Sequence, residues 1–441
     1  MSRYETYKPS CIDWIGNVPE HWETVRIKNV ASIVNGSTPS SSVEEYWDGD
    51  IIWATPGDFN KYEKIIDDSE SKITEAGYKS CGTSLVPVGS VVITTRAPIG
   101  NVLIAGKELC TNQGCKTLVP NRIESRFLYY IISISSIELN VLGQGTTFLE
   151  LSKESLGTFK LPLPDFDEQL AIANYLDHQT QKIDCLIANK KAQAEKLKEL
   201  RQIEINNAVT KGLNPNAEMK DSGIEWLGKI PKHWEVKRLK NILIEKMMYG
   251  ANEIADDDNE NNPRYIRITD FGSNGELRDD TFKSLPMEVA KDYLLREGDI
   301  LFARSGATVG KTFQFKNYSG IACFAGYLIK ARANNQIITS DFLFYFTQSN
   351  AYENWKNSIF SKATIENIGA DKYQLLKLCV PNSIEEQNEI TEYLIKRTTA
   401  IDQLIKNIEA QIEKLQELRK IKIYEAVTGK IKVNAYAETT A

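Results

Sequence analysis

Lys8-Pro-Ser-Cys-Ile-Asp-Trp-Ile-Gly-Asn-Val-Pro-Glu-His-Trp-Glu-Thr-Val-Arg-Ile-Lys-Asn29 is written a second time in the other half of the chain. There it reads Lys220-Asp-Ser-Gly-Ile-Glu-Trp-Leu-Gly-Lys-Ile-Pro-Lys-His-Trp-Glu-Val-Lys-Arg-Leu-Lys-Asn241. Twelve of the 22 positions are identical, among them Trp14/Trp226, Gly16/Gly228, Pro19/Pro231, His21/His233 and Trp22/Trp234. A second pair recurs at nearly the same offset: Glu168 to Thr210 matches Glu386 to Thr428 at 24 of 43 positions. Solenoid repeats have periods of roughly 20–50 residues, far shorter than this one, so a whole unit has been duplicated. The order is short motif, variable region, long helix, twice over. Glu425-Ala-Val-Thr-Gly-Lys-Ile431 resembles Asn207-Ala-Val-Thr-Lys-Gly-Leu213, which runs into the second short motif. The end of the chain would therefore feed into its beginning, and a pseudo-twofold particle is expected.

Neither Glu168 to Thr210 nor Glu386 to Thr428 contains Pro or Gly, and both are rich in Glu, Lys, Gln, Leu and Ala, which predicts long helices. Ile401, Ile405, Ile408, Ile412 and Leu415 follow the 4-3-4-3 spacing of a coiled-coil seam. Ile183, Ile187, Ala194 and Leu197 stand at matching positions in the first copy, with Lys190 between them. Each helix would be roughly 60 Å long, and a twofold relation would set the pair antiparallel.

The variable regions, roughly 22–160 and 235–378, read as α/β domains related only in outline. Gly89-Ser-Val-Val-Ile-Thr-Thr-Arg96 echoes Gly298-Asp-Ile-Leu-Phe-Ala-Arg304, a buried strand running into a polar loop, and this pairs Arg96 with Arg304. Arg126–Ile132 echoes Asp341–Phe346 as an amphipathic helix, and Gly145-Thr-Thr-Phe148 occupies the place of Lys362-Ala-Thr-Ile365. The fold class expected is α+β: two α/β domains separated by two long antiparallel coiled-coil helices, with internal duplication. The domain limits read as 1–21 repeat segment, 22–163 first domain, 164–212 central helix, 213–234 repeat segment, 235–380 second domain and 381–441 C-terminal helix.

Composition narrows the chemistry. The 441 residues are 42% hydrophobic and 25% charged, ordinary values for a globular protein. No apolar run approaches the roughly 20 residues of a membrane span, and Met1–Thr6 lacks the apolar core of a signal peptide, so a cytoplasmic location is expected. Seven cysteines without a C-x-x-C pair suggest neither disulfides nor a zinc knuckle. Only His21, His178 and His233 are available for His-dependent chemistry. Ser305-Gly-Ala-Thr-Val-Gly-Lys-Thr312 resembles a phosphate loop, but Ser305 stands where its first Gly belongs and a strand-like run follows where a helix is required. The His-Trp pairs read as structural, the Trp packing and the His capping or hydrogen-bonding. Asp256–Glu260 lacks the Gly and Glu of a calcium loop and reads as a solvated loop. No methyltransferase, dinucleotide or hydrolase motif is present, so the chain is expected to be non-catalytic.

Pro164-Asp-Phe-Asp-Glu-Gln169 with Ile172, Tyr175 and Leu176 recurs as Pro381 through Glu386-Gln387 with Ile390, Tyr393 and Leu394. This resembles the helix-start signature of type I restriction-modification specificity subunits, as do the paired Trp/Gly/Pro/His-Trp motifs, and the resemblance covers essentially the whole chain. It implies a subunit that reads double-stranded DNA, holds two methyltransferase subunits and binds two restriction/translocase subunits. It also implies that S-adenosylmethionine, ATP and Mg sit on those partners, with no cofactor, metal or membrane contact on this chain.

On that reading each domain reads one half of a bipartite, asymmetric target, Arg to guanine and Asn or Gln to adenine being favourable pairings. The candidate readers are polar residues beside the shared strands. In the first domain they are Asn35, Ser37, Thr38, Thr95, Arg96, Asn112, Gln113, Lys116, Gln144 and Thr146; in the second, Tyr249, Asn252, Arg267, Arg304, Ser305, Lys311, Lys362 and Thr364. Charge is the objection. The chain carries −6, residues 22–160 hold 13 basic against 16 acidic side chains, and 234–380 hold 19 of each, whereas phosphate contacts normally dominate affinity. Weak binding alone and tight binding in complex are therefore expected. The alternative from another class is a coiled-coil interaction scaffold with two divergent protein-binding domains and no role on DNA.

Overall fold

The structure, a computed structural model, describes residues 2–143, 149–254, 256–272, 275–306, 308–360 and 367–433. It forms two compact units, Met1–Lys190 with Ala410–Ala441, and Lys191–Glu409. The two long helices, Phe166–Lys211 and Ile384–Val427, each contribute one part to unit 1 and the other to unit 2.

Unit 1 is built on a five-stranded sheet in the order Ala31–Asn35, Cys115–Pro120, Val91–Thr94, Val102–Ala105, Ile65–Ile66. Neighbours are antiparallel except the last pair, which is parallel. The Val91–Thr94 run is buried throughout because both faces are covered. With side chains alternating across a strand, Val91 and Ile93 enter the core shared with the helix Ser125–Ser133, while Val92 joins Ile52, Phe59 and Leu103 on the other face. The Ser125–Ser133 helix is started by Glu124, whose carboxylate accepts from the Phe127 N–H at 2.7 Å. It buries Phe127 through Ile132. A smaller sheet, Cys110–Thr111, Trp47–Ala54 and Lys72–Ile73, completes the domain.

Unit 2 repeats this frame. Its sheet runs Met248–Tyr249, Leu328–Ala331, Ile300–Ala303, Thr312–Gln314, all antiparallel. Ile300 and Phe302 face the core shared with the helix Ser340–Thr347, and Leu301 and Ala303 face the opposite cluster. The parallel pair Arg264–Ile266 and Ala322–Phe324 answers the parallel pair of Trp47–Ala54 with Cys110–Thr111 in unit 1. In both units the variable region returns to its start before the long helix begins: Glu23–Arg26 pairs with Lys160–Leu163, and Glu235–Arg238 with Lys377–Val380.

The Glu-Gln of the helix-start signature makes two anchors in each unit. Glu168 Oε2 accepts from Trp22 Nε1 at 2.9 Å and lies 2.9 Å from His21 Nε2. Glu386 likewise accepts from Trp234 Nε1 at 3.0 Å and lies 3.1 Å from His233 Nε2. The adjacent Gln169 and Gln387 are buried, their carbonyls accepting from Glu124 N and Thr339 N at 2.7 Å, so each ties the long helix to the start of the helix Ser125–Ser133 or Ser340–Thr347. The His-Trp pairs thus hold the repeat segment to the long helix, with Trp22 and Trp234 fully buried.

Within unit 2 the two long helices run antiparallel: Arg201 pairs with Asp402 and Glu204 with Arg397, so one advances as the other recedes. The residues that correspond to Arg201 and Asp402 in the repeat are Arg419 and Asp184, and these pair in unit 1 at 2.9 Å. Of the seam positions, Ile183, Ile187, Ala194, Ile401 and Ile405 are buried, while Leu197, Ile408, Ile412 and Leu415 are half-buried. The end of the chain does return to its beginning inside unit 1. Ile423, Ala426 and Val427 share a core with Trp22, and Lys430 Nζ donates to the carbonyls of Ile15 and Asn17 at 2.8 and 2.7 Å. Among the described residues no helix is long and apolar enough to cross a membrane, and no group of three or more His, Cys, Asp or Glu is placed to hold a metal ion.

Candidate nucleic-acid interface

In unit 1 the strand register brings the candidates to one edge of the sheet. Asn35 sits opposite Lys116, and Lys116 opposite Ile93 on its other side, so the loops that follow Asn35 and Thr94 and the turn that precedes Cys115 emerge together. Ser37 N donates to Thr111 O at 2.9 Å, Trp53 Nε1 donates to Ser37 O at 2.9 Å, and the Thr38 hydroxyl is bonded to Gln113 Oε1. The packing is tight: a Cβ on Gly36 would lie 1.8 Å from Asn112 O, so only glycine fits there. Asn112 turns its own Oδ1 back to accept from Gly114 N, which leaves Gln113 exposed at the tip.

A charged triad stands at this edge. Arg96 and Lys116 both approach Glu150, at 3.0 and 3.8 Å; Arg96 and Glu150 are half exposed, while Lys116 is buried. Burial holds the Lys116 ammonium below the usual lysine range, Glu150 opposing that shift and Arg96 adding to it. Thr95 is fully buried, and its hydroxyl donates to Gly114 O at 3.2 Å; it shapes the loop and faces no solvent. Gln144 and Thr146 lie outside the described residues.

In unit 2 the same edge carries different chemistry. The Arg304 guanidinium lies 5.0 Å over the ring of Tyr249, whose hydroxyl accepts from Ala370 N at 3.0 Å. Arg304 N donates to Tyr327 O at 3.1 Å, and Tyr327 is 64% exposed. Asn252 is exposed beside Gly326, and Lys311 is exposed where the Ile300–Ala303 strand turns into Thr312–Gln314. Arg267 is engaged elsewhere: its guanidinium grips the buried Asp270 at 3.1 and 2.7 Å and donates to Thr281 O. Lys362 and Thr364 lie outside the described residues. The phosphate-loop-like Ser305–Thr312 run joins two antiparallel strands, and the strand Thr312–Gln314 stands where a phosphate loop needs its helix.

One expectation is corrected. Arg96 and Arg304 are not equivalent. Thr95 O accepts from Leu151 N and Arg304 O from Ile368 N, while Arg96 bridges to Glu150 as Ser305 bridges to Asn367. Arg304 therefore stands where Thr95 does, and Arg96 where Ser305 does; one residue along a strand reverses the face presented. By the same register Lys116 corresponds to Ile329. Three residues of the two edges escape a reading of the sequence. Glu150 is hidden because both its partners are distant in the chain; Tyr327 and Trp53 carry only their aromatic character as a signal.

The sequence profile of the "Type I restriction modification DNA specificity domain" matches residues 19–196 and 231–414. The type I restriction enzyme MjaIX specificity subunit of Methanocaldococcus jannaschii is 34% identical over 303 residues, 67% of this chain and 68% of that protein. The EcoR124I/EcoR124II specificity subunit of Escherichia coli is 28% identical over 213 residues, 46% of each chain. A solved structure described as "Structural basis underlying complex assembly and conformational transition of the type I R-M system" superposes with a TM-score of 0.71. The identity is 17%, with 94% of this chain and 99% of that one covered, a likeness of fold.

Proposed function

The chain belongs to the family of type I restriction-modification DNA specificity subunits, non-catalytic components that recognise DNA, and from that premise we propose how it divides the work. Each recognition region reads one half of a bipartite target, and the two halves differ in base sequence. The observation that carries this is one strand frame bearing two sets of edge residues. The half-exposed pair Arg96 and Glu150 in unit 1 is answered by Ser305 and Asn367 in unit 2, and beneath it the buried Thr95 and Lys116 are answered by Arg304 and Ile329. Arg96, held by Glu150 at 3.0 Å until DNA competes for it, offers a bidentate donor suited to guanine. Arg304 stacked on Tyr249, with Tyr327 beside it, offers a donor backed by aromatic surface. The scaffold alternative, which the acidic charge suggested, gives way to the family's DNA role.

The helices support docking of one kind of partner twice. Leu186 and Leu404 are 50% and 51% exposed, Leu200 and Leu418 36% and 40%, Ile203 and Ile421 both 43%. Each pair is one repeat position. Apolar residues left equally exposed in both copies, while the reading edges diverged, suit two identical methyltransferase subunits. S-adenosylmethionine would be held by those subunits, and ATP and Mg by two restriction/translocase subunits. The balanced or acidic charge of the recognition regions suits a division in which the partners supply most phosphate contacts. Exchanging residues 22–160 for the corresponding region of another family member tests the reading, with cognate methyltransferase present. One half of the methylated motif should change and the other stay. Loss of a protein partner with an unchanged motif would overturn it.

A further inference from the structure

Unit 2 has an open pocket of about 270 Å³ lined by Gly212, Leu213, Pro231, His233, Glu386 and Ile390. The corresponding place in unit 1 is occupied. There Tyr4, only 9% exposed, donates its hydroxyl to Glu168 Oε1, and its ring lies 5.6 Å from His21 and 6.0 Å from Trp22. Pro231, His233, Glu386 and Ile390 are the repeat counterparts of Pro19, His21, Glu168 and Ile172, of which Ile172 shares a core with Tyr4. Tyr4 stands four positions before Lys8; four positions before Lys220 stands Asn216, which is exposed. Among the described residues Glu168 therefore meets Tyr4, Trp22 and His21, whereas Glu386 meets Trp234 and His233. The Glu386 side chain is 28% exposed against 14% for Glu168.

We infer that the pocket beside Glu386 receives a tyrosine side chain carried by a partner protein. The chemistry is that of the occupied copy: a phenol O–H donated to a carboxylate that already holds an indole and an imidazole, with the ring set against the same His and Trp. A peptide-borne tyrosine is the occupant because the internal precedent reaches the carboxylate from a polypeptide backbone. The inference is independent of which bases the recognition regions read.

The test uses the full chain and an acetylated, amidated peptide Ser-Arg-Tyr-Glu-Thr copying Ser2–Thr6, with its Tyr→Phe version as control, followed by saturation-transfer NMR. The tyrosine peptide should bind saturably at roughly millimolar concentration or below, and the phenylalanine peptide about ten-fold more weakly for want of the charge-assisted hydrogen bond. Asn216→Tyr, which supplies a phenol from within, should abolish binding and keep or raise Tm. Glu386→Gln should shrink the preference for tyrosine. No saturable binding, equal binding of the two peptides, or undiminished binding to Asn216→Tyr would each overturn the inference.

Discussion

Replacing Glu168 and Glu386 by alanine, one at a time, tests whether each carboxylate holds its own unit together in the way the geometry requires. In unit 2, Glu386→Ala strips the acceptor from Trp234 Nε1. That indole is fully buried, so the orphaned N–H costs about 1–3 kcal/mol. His233 is 54% exposed and turns to water at little cost, as exposed ion pairs contribute roughly 0–1 kcal/mol. Glu168→Ala removes the same acceptor from Trp22 and in addition orphans the hydroxyl of the nearly buried Tyr4, another 1–3 kcal/mol or so, on the order of the first loss. For units of about 200 residues, roughly 2–4 °C accompanies each kcal/mol. Scanning calorimetry of the full chain should therefore show a loss of about 2–12 °C for Glu386→Ala and several degrees more for Glu168→Ala. Glutamine, which keeps an acceptor oxygen, should restore about half of each loss. Equal losses would refute the contribution of Tyr4; losses under about 1 °C in both would refute the carboxylate's role altogether.

Other expectations follow from the two edges and from unit 1. Arg304→Ala should cut methylation directed by the second half-site by roughly 10–100-fold and relax one base position, leaving the first half-site intact; a motif unchanged in sequence and rate would remove Arg304 from the reading edge. Glu150→Gln should release Arg96 and Lys116, strengthen DNA binding by the assembled complex and steepen its salt dependence by about one phosphate contact; weaker binding confined to one base identity would instead make Glu150 a base acceptor. Asp177, half-buried, is held below the usual carboxylate range because hydrogen bonds from Lys64, Tyr130 and Arg126 outweigh the effect of burial. Its folded pKa being depressed, the stability it contributes is present above the unfolded value near 4 and is lost as pH falls below that. Asp177→Asn should flatten that part of the acid-unfolding profile, read by circular dichroism; an identical profile would show that the ion-paired cluster contributes nothing.

The duplication was legible because it is written in identical residues, and with it came the strands at 91–94 and 300–303, the helices after 124 and 339, and the two long helices. Sheet order was not. That Cys115–Pro120 lies between Ala31–Asn35 and Val91–Thr94 depends on pairings between segments far apart in the chain, which leave no local pattern. The roles within the helix-start signature were equally hidden. Glu168 and Gln169 are neighbours in sequence, yet one meets Trp22 and the other Glu124, both remote in the chain. The false match of Arg96 to Arg304 has a simple cause: the two strand segments differ by one residue before the arginine, and a period of two makes that slip a change of face. Along this edge the sequence singled out loops that the strand register brings together, but not what each side chain does there. Thr95 proved to be loop structure, Arg267 is taken up by Asp270, and Glu150 joins Arg96 to Lys116.

On the proposed function, this chain reads two unequal half-sites for a methyltransferase. The most direct test is to co-express the full chain with its cognate methyltransferase in a host lacking other adenine methylation, verify the complex by purification, and sequence the genomic DNA with single-molecule modification detection. One new methyladenine motif in two unequal parts separated by a fixed gap is expected. A verified complex that leaves no such motif, or one that marks a symmetric, uninterrupted site, would contradict the proposed function.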